Sequence, residues 1–144
     1  MANAMHKTRP DTEQTAATVS NKPKIVFWIA AGLAVWLVAT LMLGWIGDLF
    51  LERGLVIYTV SSLAMCGAFV VLFAGLSRLT ALDRPSVLPA AVAFSVAGMT
   101  GEVVVMSTFP LFVPALSAPT AGPFAAFLFF GYSVLLMYAL RRSR

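Results

Sequence analysis

Long apolar runs that carry almost no charge constrain this chain more than any other feature. A bilayer's hydrocarbon core is about 30 Å thick, and a helix needs about 20 apolar residues to cross it. The uncharged runs cover residues 25–47 and 54–77, and the stretch 85–140 contains Glu102 as its one charge. That last stretch is long enough for two helices. We therefore predict an all-α integral membrane bundle of four transmembrane helices.

The composition supports this class of protein and argues against two others. Of the 144 residues, 60% are apolar and 11% are charged, whereas a soluble domain carries about 25% charged residues. The net charge of +4 comes from basic residues that flank the apolar runs, so we expect headgroup contacts and no nucleic acid partner. Cys66 and His6 are the single residues of their types, and neither has a companion for a metal site. We expect no cofactor.

The polar ends of the chain define its domain organisation. In residues 1–24 apolar residues do not recur at a regular spacing. We therefore predict a disordered cytoplasmic tail there. The apolar run that follows is too long for the core of a signal peptide. Residues 141–144 form a basic cytoplasmic end, and residues 25–140 form the transmembrane domain. Its four helices are predicted at about residues 25–46, 55–76, 87–108 and 124–140.

Four prolines interrupt the last apolar run within fourteen residues. Proline removes a helical hydrogen bond and clashes with the preceding turn. We therefore predict an extended, partly interfacial loop before the last helix. The prolines are Pro110, Pro114, Pro119 and Pro123.

Basic residues are distributed very unequally between the two sides of the predicted membrane domain. Lysine and arginine accumulate on the cytoplasmic side of membrane proteins. With both termini inside, nine basic residues lie on that side and Arg53 alone lies outside. We therefore predict a multi-pass protein of the bacterial cytoplasmic (inner) membrane, with both termini in the cytoplasm.

Glu102 is the only charged residue well inside an apolar run. It lies about fifteen residues into the third predicted helix, which at about 1.5 Å per residue is about 22 Å from the cytoplasmic edge. A charge at the bilayer centre costs about 2.5–3.5 kcal/mol. In the outer half of the bilayer the cost is smaller, but it still favours protonation or a partner. Ser95 and Gly98 share a helical face with Glu102.

The position of each residue along its predicted helix gives its expected depth in the membrane. By this measure several polar residues lie at about the depth of Glu102 and form a predicted polar layer around it. Arg53, in the outer loop, is the only cation near enough to reach in. One hypothesis is that the carboxyl binds a proton or cation and couples it to movement. The alternative is a structural carboxyl that is hydrogen-bonded to neighbouring helices or marks the helix end, and the lack of a second acid at this depth favours it. The hydroxyl residues at similar depth are Thr40, Ser61, Ser62 and Tyr132.

Small residues and one tryptophan indicate how the helices pack. Small residues four apart let helix backbones approach closely in lipid. Trp36 lies between the two interfaces where tryptophan is enriched, which indicates a packing role. The small residues are Ala64 and Ala68 in the second helix and Ala93, Ala97 and Gly101 in the third.

Several short motifs follow one another along the chain at spacings that need no insertion or deletion. They are Val35-Trp36-Leu37, Ala39-Thr40, Gly98-Met99, the acid at position 102, Pro114, Ala121-Gly122, Phe124 and Tyr132. On these residues, and over about residues 25–140, the chain resembles a bacterial family of small four-helix membrane proteins known only as domain of unknown function 5367. The chain has Ala97, Glu102 and Ala115 where that family usually has proline, aspartate and asparagine. The resemblance implies a four-helix membrane fold and no established activity.

Three classes of function remain open. The absence of recognisable motifs favours a structural or regulatory membrane subunit. The alternative is a small proton- or cation-coupled transporter that uses Glu102. We do not expect an enzyme, because no nucleophile–base pair lies at a common depth. The expected partners are the lipid bilayer and, through small-residue faces, a second copy of the chain or another membrane protein.

Overall fold

Helices are the only regular elements in the part of the chain that the structure, a computed structural model, describes: residues 24–114 and 116–144. The predicted disordered tail therefore lies outside the described residues, apart from Lys24. Four helices are long and apolar enough to cross a membrane, which confirms the all-α class with four long apolar helices. The elements are α1 (Ile25–Leu51), α2 (Leu55–Leu79), α3 (Arg84–Ser107), α4 (Phe109–Phe112), a 3₁₀ turn (Ala118–Thr120) and α5 (Ala121–Ser143).

Helices α3 and α5 form the centre of the bundle. α3 packs against α1 and α5, and α5 also packs against α2, whereas the consecutive helices α1 and α2 contact each other much less. In the most apolar window of each helix, 50% of residues are buried in α3 but only 17% in α1 and in α2. The helix that carries Glu102 is thus the most enclosed of the four.

Two apolar clusters fill the interior, one toward each end of the bundle. At the first end, called the Glu52 end, α1 and α3 finish while α2 and α5 begin; the opposite end is called the Arg141 end. The cluster toward the Glu52 end includes Leu43, Val105, Phe109, Val113, Phe124 and Phe127. The cluster toward the Arg141 end includes Trp28, Phe73, Val87, Phe94, Leu135 and Ala139.

Gly32 lies at the crossing of α1 and α3. A Cβ atom added at Gly32 would overlap the backbone carbonyl oxygen of Phe94 on α3. Only glycine allows two helix backbones to approach this closely. Farther along α1, a Cβ atom added at Gly44 would lie 2.9 Å from the backbone oxygen of Phe112 in α4. The later residue of α1, Gly44, thus meets the later residue of the other segment, Phe112, and the earlier residue Gly32 meets Phe94. α1 and α3 therefore run parallel.

The segment between α3 and α5 corrects the prediction of an extended loop. It contains α4 and the 3₁₀ turn, and Phe109, Val113 and Leu116 are buried in the cluster toward the Glu52 end. Pro110 and Pro119 lie in the first turn of α4 and of the 3₁₀ turn, where a helix does not use the N–H that proline lacks. These prolines therefore begin short helices instead of holding the chain extended.

Five helix ends lie outside the predicted bounds. Two of them are the C-terminal ends of α2 and α5, which reach Leu79 and Ser143. α1 continues past residue 46 to Leu51, which is buried in the core. α3 begins at Arg84 with Pro85 in its first turn, and α5 begins at Ala121 with Pro123 in its first turn. The first four N–H groups of a helix have no intrahelical acceptor, so proline costs no hydrogen bond at either position.

Candidate functional site

Glu102 is enclosed in the bundle and joined to α1. Its side chain is only 1% exposed, and the indole Nε1–H of Trp36 donates a hydrogen bond of 3.2 Å to its Oε2. Trp36 is not among the partners predicted from depth. A buried tryptophan N–H usually needs an acceptor, and that requirement is the sequence signal that could have identified it.

Two glycines of α3 make room for aromatic rings beside Glu102. A Cβ atom added at Gly101 would lie 2.5 Å from the Trp36 ring, and one added at Gly98 would overlap the hydroxyl of Tyr132. Gly101 precedes Glu102 by one residue, and Gly98 precedes it by one helical turn. Both α1 and α5 therefore meet α3 through an aromatic side chain that occupies the space of a missing Cβ.

The same kind of contact joins α5 to α2. A Cβ atom added at Gly131 would lie 2.6 Å from the ring of Phe69. This ring also stacks on Tyr132, with ring centroids 5.5 Å apart and an angle of 18° between the ring planes. All four spanning helices are thus connected through what we call the aromatic–glycine layer. Its members are Trp36, Phe69, Gly98, Gly101, Gly131 and Tyr132.

Two of the predicted hydroxyl partners lie in the interior: Thr40 is close to this layer and Tyr132 belongs to it. Thr40 is buried one helical turn after Trp36 on α1. Tyr132 is buried and reaches α3 at Gly98. Neither residue forms a hydrogen bond with Glu102 in the described part of the chain.

The two predicted serines of α2 are not brought to Glu102. Ser62 is buried, but its hydroxyl donates a hydrogen bond of 2.8 Å to the backbone oxygen of Tyr58 in its own helix. Ser61 is half-buried. α2 packs chiefly against α5, and it contacts α3 through the rings of Phe73 and Phe94, two helical turns before Glu102. Depth alone was therefore a poor guide to contacts.

Three buried oxygens in the interior have no hydrogen-bond partner among the described residues. They are Oε1 of Glu102, Oγ1 of Thr40 and Oγ of Ser95. Other helical hydroxyls, such as that of Thr100, donate to the carbonyl four residues back. An unsatisfied buried polar group costs about 1–3 kcal/mol. These oxygens are the observation that favours a proton or cation function.

The described residues provide Glu102 with no charged partner. Arg53, predicted as the only cation within reach, is exposed at the Glu52 end. The hydrogen bond from Trp36 is the one polar contact of the carboxyl in the described chain. Nor do the described residues contain a group of three or more His, Cys, Asp or Glu side chains that could hold a metal ion.

A second carboxylate, Glu52, connects the end of α1 to the start of α5. Its Oε1 accepts hydrogen bonds from the backbone N–H of Ser117 at 2.8 Å, the hydroxyl of Ser117 at 2.6 Å and the hydroxyl of Thr120 at 2.5 Å. The side-chain bond from Ser117, followed by the bond from Thr120, lowers the pKa of the Glu52 carboxyl. A negative charge is also favourable at the start of a helix.

The Glu52 contacts predict a pH-dependent contribution to stability. A lowered folded-state pKa means that the unfolded chain binds more protons, so the contribution is present above the unfolded pKa of about 4.3 and is lost as pH falls below it. We expect Glu52→Gln to lower the melting temperature at neutral pH. The difference from wild type should shrink below about pH 4.3.

Ser117→Ala provides the control for this pH effect, because it removes the hydroxyl that lowers the Glu52 pKa most. In the Ser117→Ala background, Glu52→Gln should have a smaller effect on melting temperature. A wild-type difference that stays constant from neutral to acid pH would contradict the role of the carboxylate.

A family model matches residues 50–144 of this chain, and the family is described as a family of unknown function, DUF5367. The match begins near the end of α1 and includes Glu52, Glu102 and Tyr132, but not Trp36. It confirms the resemblance predicted from the sequence motifs. Comparisons with curated proteins and with solved structures find no match.

Proposed function

Because the chain belongs to the family of unknown function DUF5367, we propose a function from the geometry of its own residues. The proposed function is that of a structural or regulatory subunit in the bacterial cytoplasmic membrane, without catalytic activity of its own. The enclosure of Glu102 carries this proposal: Trp36 binds one carboxyl oxygen, and aromatic side chains fill the neighbouring glycine positions. Such a carboxyl ties helices together and does not line a substrate path.

The proposed orientation places the Arg141 end in the cytoplasm. Basic residues at this end support it, because they accumulate on the cytoplasmic side, and the only basic residue described at the opposite end is Arg53. The basic residues of the Arg141 end in the described chain are Lys24, Arg78, Arg84, Arg141, Arg142 and Arg144.

A subunit needs a surface for its partner, and α2 offers one. Ala64 and Ala68, the predicted small-residue pair, are exposed, as is Gly67 between them. Nothing lies within 4 Å of a Cβ atom added at Gly67. We propose that this face of α2 packs against another membrane protein or a second copy of the chain, since small residues allow close helix contact in lipid.

Native gel electrophoresis of the protein, extracted from its own membranes in mild detergent, tests the subunit proposal. We expect the chain to migrate in a defined complex that Ala64→Leu and Ala68→Leu together disrupt. Val103→Leu is the matched control, because Val103 is an outward residue of α3 that is 64% exposed. Migration of the wild type as a single free chain in every mild detergent would contradict the proposal.

The unpartnered oxygens of Glu102, Thr40 and Ser95 support a second candidate function, a small proton- or cation-coupled transporter. The test is a flux assay in proteoliposomes that contain a pH-sensitive dye. Glu102→Gln retains an acceptor for the Trp36 N–H, so we expect it to fold, and Glu52→Gln is the control at the bundle end. A transporter requires a flux that Glu102→Gln abolishes and Glu52→Gln leaves intact, whereas the subunit proposal expects no flux above that of empty liposomes.

A further inference from the structure

An apolar groove runs between α2 and α5 toward the Arg141 end. Its volume is about 490 Å³, which falls within the range of about 300–1,000 Å³ that is usual for ligand sites. The groove is open along one side, so a molecule in the surrounding lipid can enter it from the membrane. Val70 of α2 lines one side, and the other lining residues belong to α5: Phe130, Ser133, Val134, Met137, Tyr138 and Arg141.

Two neighbouring arginines lie where this groove ends. Arg141 lines the groove itself. The Nη1 of Arg142 donates a hydrogen bond of 2.8 Å to the hydroxyl of Tyr138, another lining residue. Because a guanidinium has five N–H donors, this bond orients Arg142 and leaves most of its donors for a ligand.

A third arginine ends the helix on the other side of the groove. Arg78 lies in the last turn of α2, as Arg141 lies in the last turn of α5. The two helices run parallel, since Tyr58 bonds to Pro123 near their starts and Phe69 fills the position beside Gly131 farther along. Their last turns are therefore at the same level.

The charge at the end of the bundle where the groove finishes is strongly unbalanced. In the described chain the Arg141 end carries six basic residues, and the one acidic residue there is Asp83. An arginine fork matches the oxygens of a phosphate group. An apolar groove of this kind fits an acyl chain, whereas a soluble phosphate compound would leave it unused.

We propose that the α2–α5 groove binds one acyl chain of an anionic glycerophospholipid, whose phosphate is bound by Arg141 and Arg142. Val70 of α2 and the apolar side chains of α5 contact the acyl chain, and Tyr138 holds Arg142 beside the headgroup. Arg78 adds positive charge from the neighbouring helix end. This binding site is independent of Glu102 and of the proposed subunit role.

The test measures lipid binding to the purified full-length protein in detergent by native mass spectrometry. The probes are phosphatidylglycerol and phosphatidylcholine with identical acyl chains. We expect phosphatidylglycerol to bind more tightly, and Arg141→Gln to weaken its binding about fivefold, the effect of one basic residue near an anionic lipid surface. Arg53→Gln is the matched control, because Arg53 is exposed at the opposite end, and it should have no effect.

A second variant tests the groove without changing charge. Val134→Trp fills the groove, and we expect it to reduce phosphatidylglycerol binding by a similar factor. Val103→Trp, on an outward part of α3, is its control. Equal binding of both lipids, no loss in Arg141→Gln, or no loss in Val134→Trp would each overturn the proposal. So would displacement of the bound lipid by inorganic phosphate at the same concentration, because the acyl chain would then contribute nothing.

Discussion

Replacing Gly32 by leucine is expected to prevent α1 from packing against α3. The new Cβ atom would overlap the backbone oxygen of Phe94, and a helix backbone cannot move aside as a flexible side chain can. We expect a loss of about 3 kcal/mol or more in the free energy of unfolding, at the upper end of overpacking effects. The measurement is the unfolding free energy in detergent or the fraction of protein that survives extraction in folded form.

Gly75→Leu is the matched control for this prediction. It makes the same change in a helix interior, but nothing lies within 4 Å of the Cβ atom that would be added there. Leucine also has a higher helix propensity than glycine, so stability should be unchanged or slightly higher. If both variants lose stability equally, the close approach of α1 to α3 is not what holds the bundle.

Replacing Trp36 by phenylalanine is the second prediction with a large expected effect. The variant keeps most of the ring that packs at Gly101 but removes the N–H that binds Glu102. The carboxyl would then have no hydrogen-bond partner in the described chain. We expect a loss of about 2 kcal/mol, in the range for leaving a buried polar group unpaired, measured as the free energy of unfolding.

The control is Trp45→Phe in the same helix, because the Trp45 side chain is 84% exposed and should tolerate the change. A double-mutant cycle with Glu102→Leu separates the hydrogen bond from ring packing. Trp36→Phe combined with Glu102→Leu should be more stable than Trp36→Phe alone, since removing both partners costs less than leaving one unpaired. Additive losses would show that the bond contributes nothing beyond packing.

The four helices that are long and apolar enough to cross a membrane could be predicted from sequence, because this property depends only on the length and composition of each segment. Their contacts could not, because pairing also depends on how each helix is rotated about its axis. Depth placed Ser61 and Ser62 beside Glu102, but α2 packs mainly on α5. Trp36, 66 residues away from Glu102 along the chain, was treated only as a packing residue.

The Glu52 contacts show the same limit at the end of the bundle. Ser117 and Thr120 stand three residues apart before an apolar run, which is typical of a helix start. Their acceptor is Glu52, 65 residues from Ser117, and no local pattern connects the two segments. The proline-rich segment was wrongly predicted as extended because a proline looks the same in a loop and in the first turn of a helix.

The order in which the helices pack has a consequence for how the protein is made. Sequential elements of a protein are usually neighbours in space, but α1 and α2 contact each other little and α2 packs mainly against α5. During synthesis α1 gains its main packing partner as soon as α3 is made. α2 gains its main partner only when α5, the last helix, is made. A chain truncated before α5 would therefore leave α2 without its main packing partner and expose the apolar face that α5 covers.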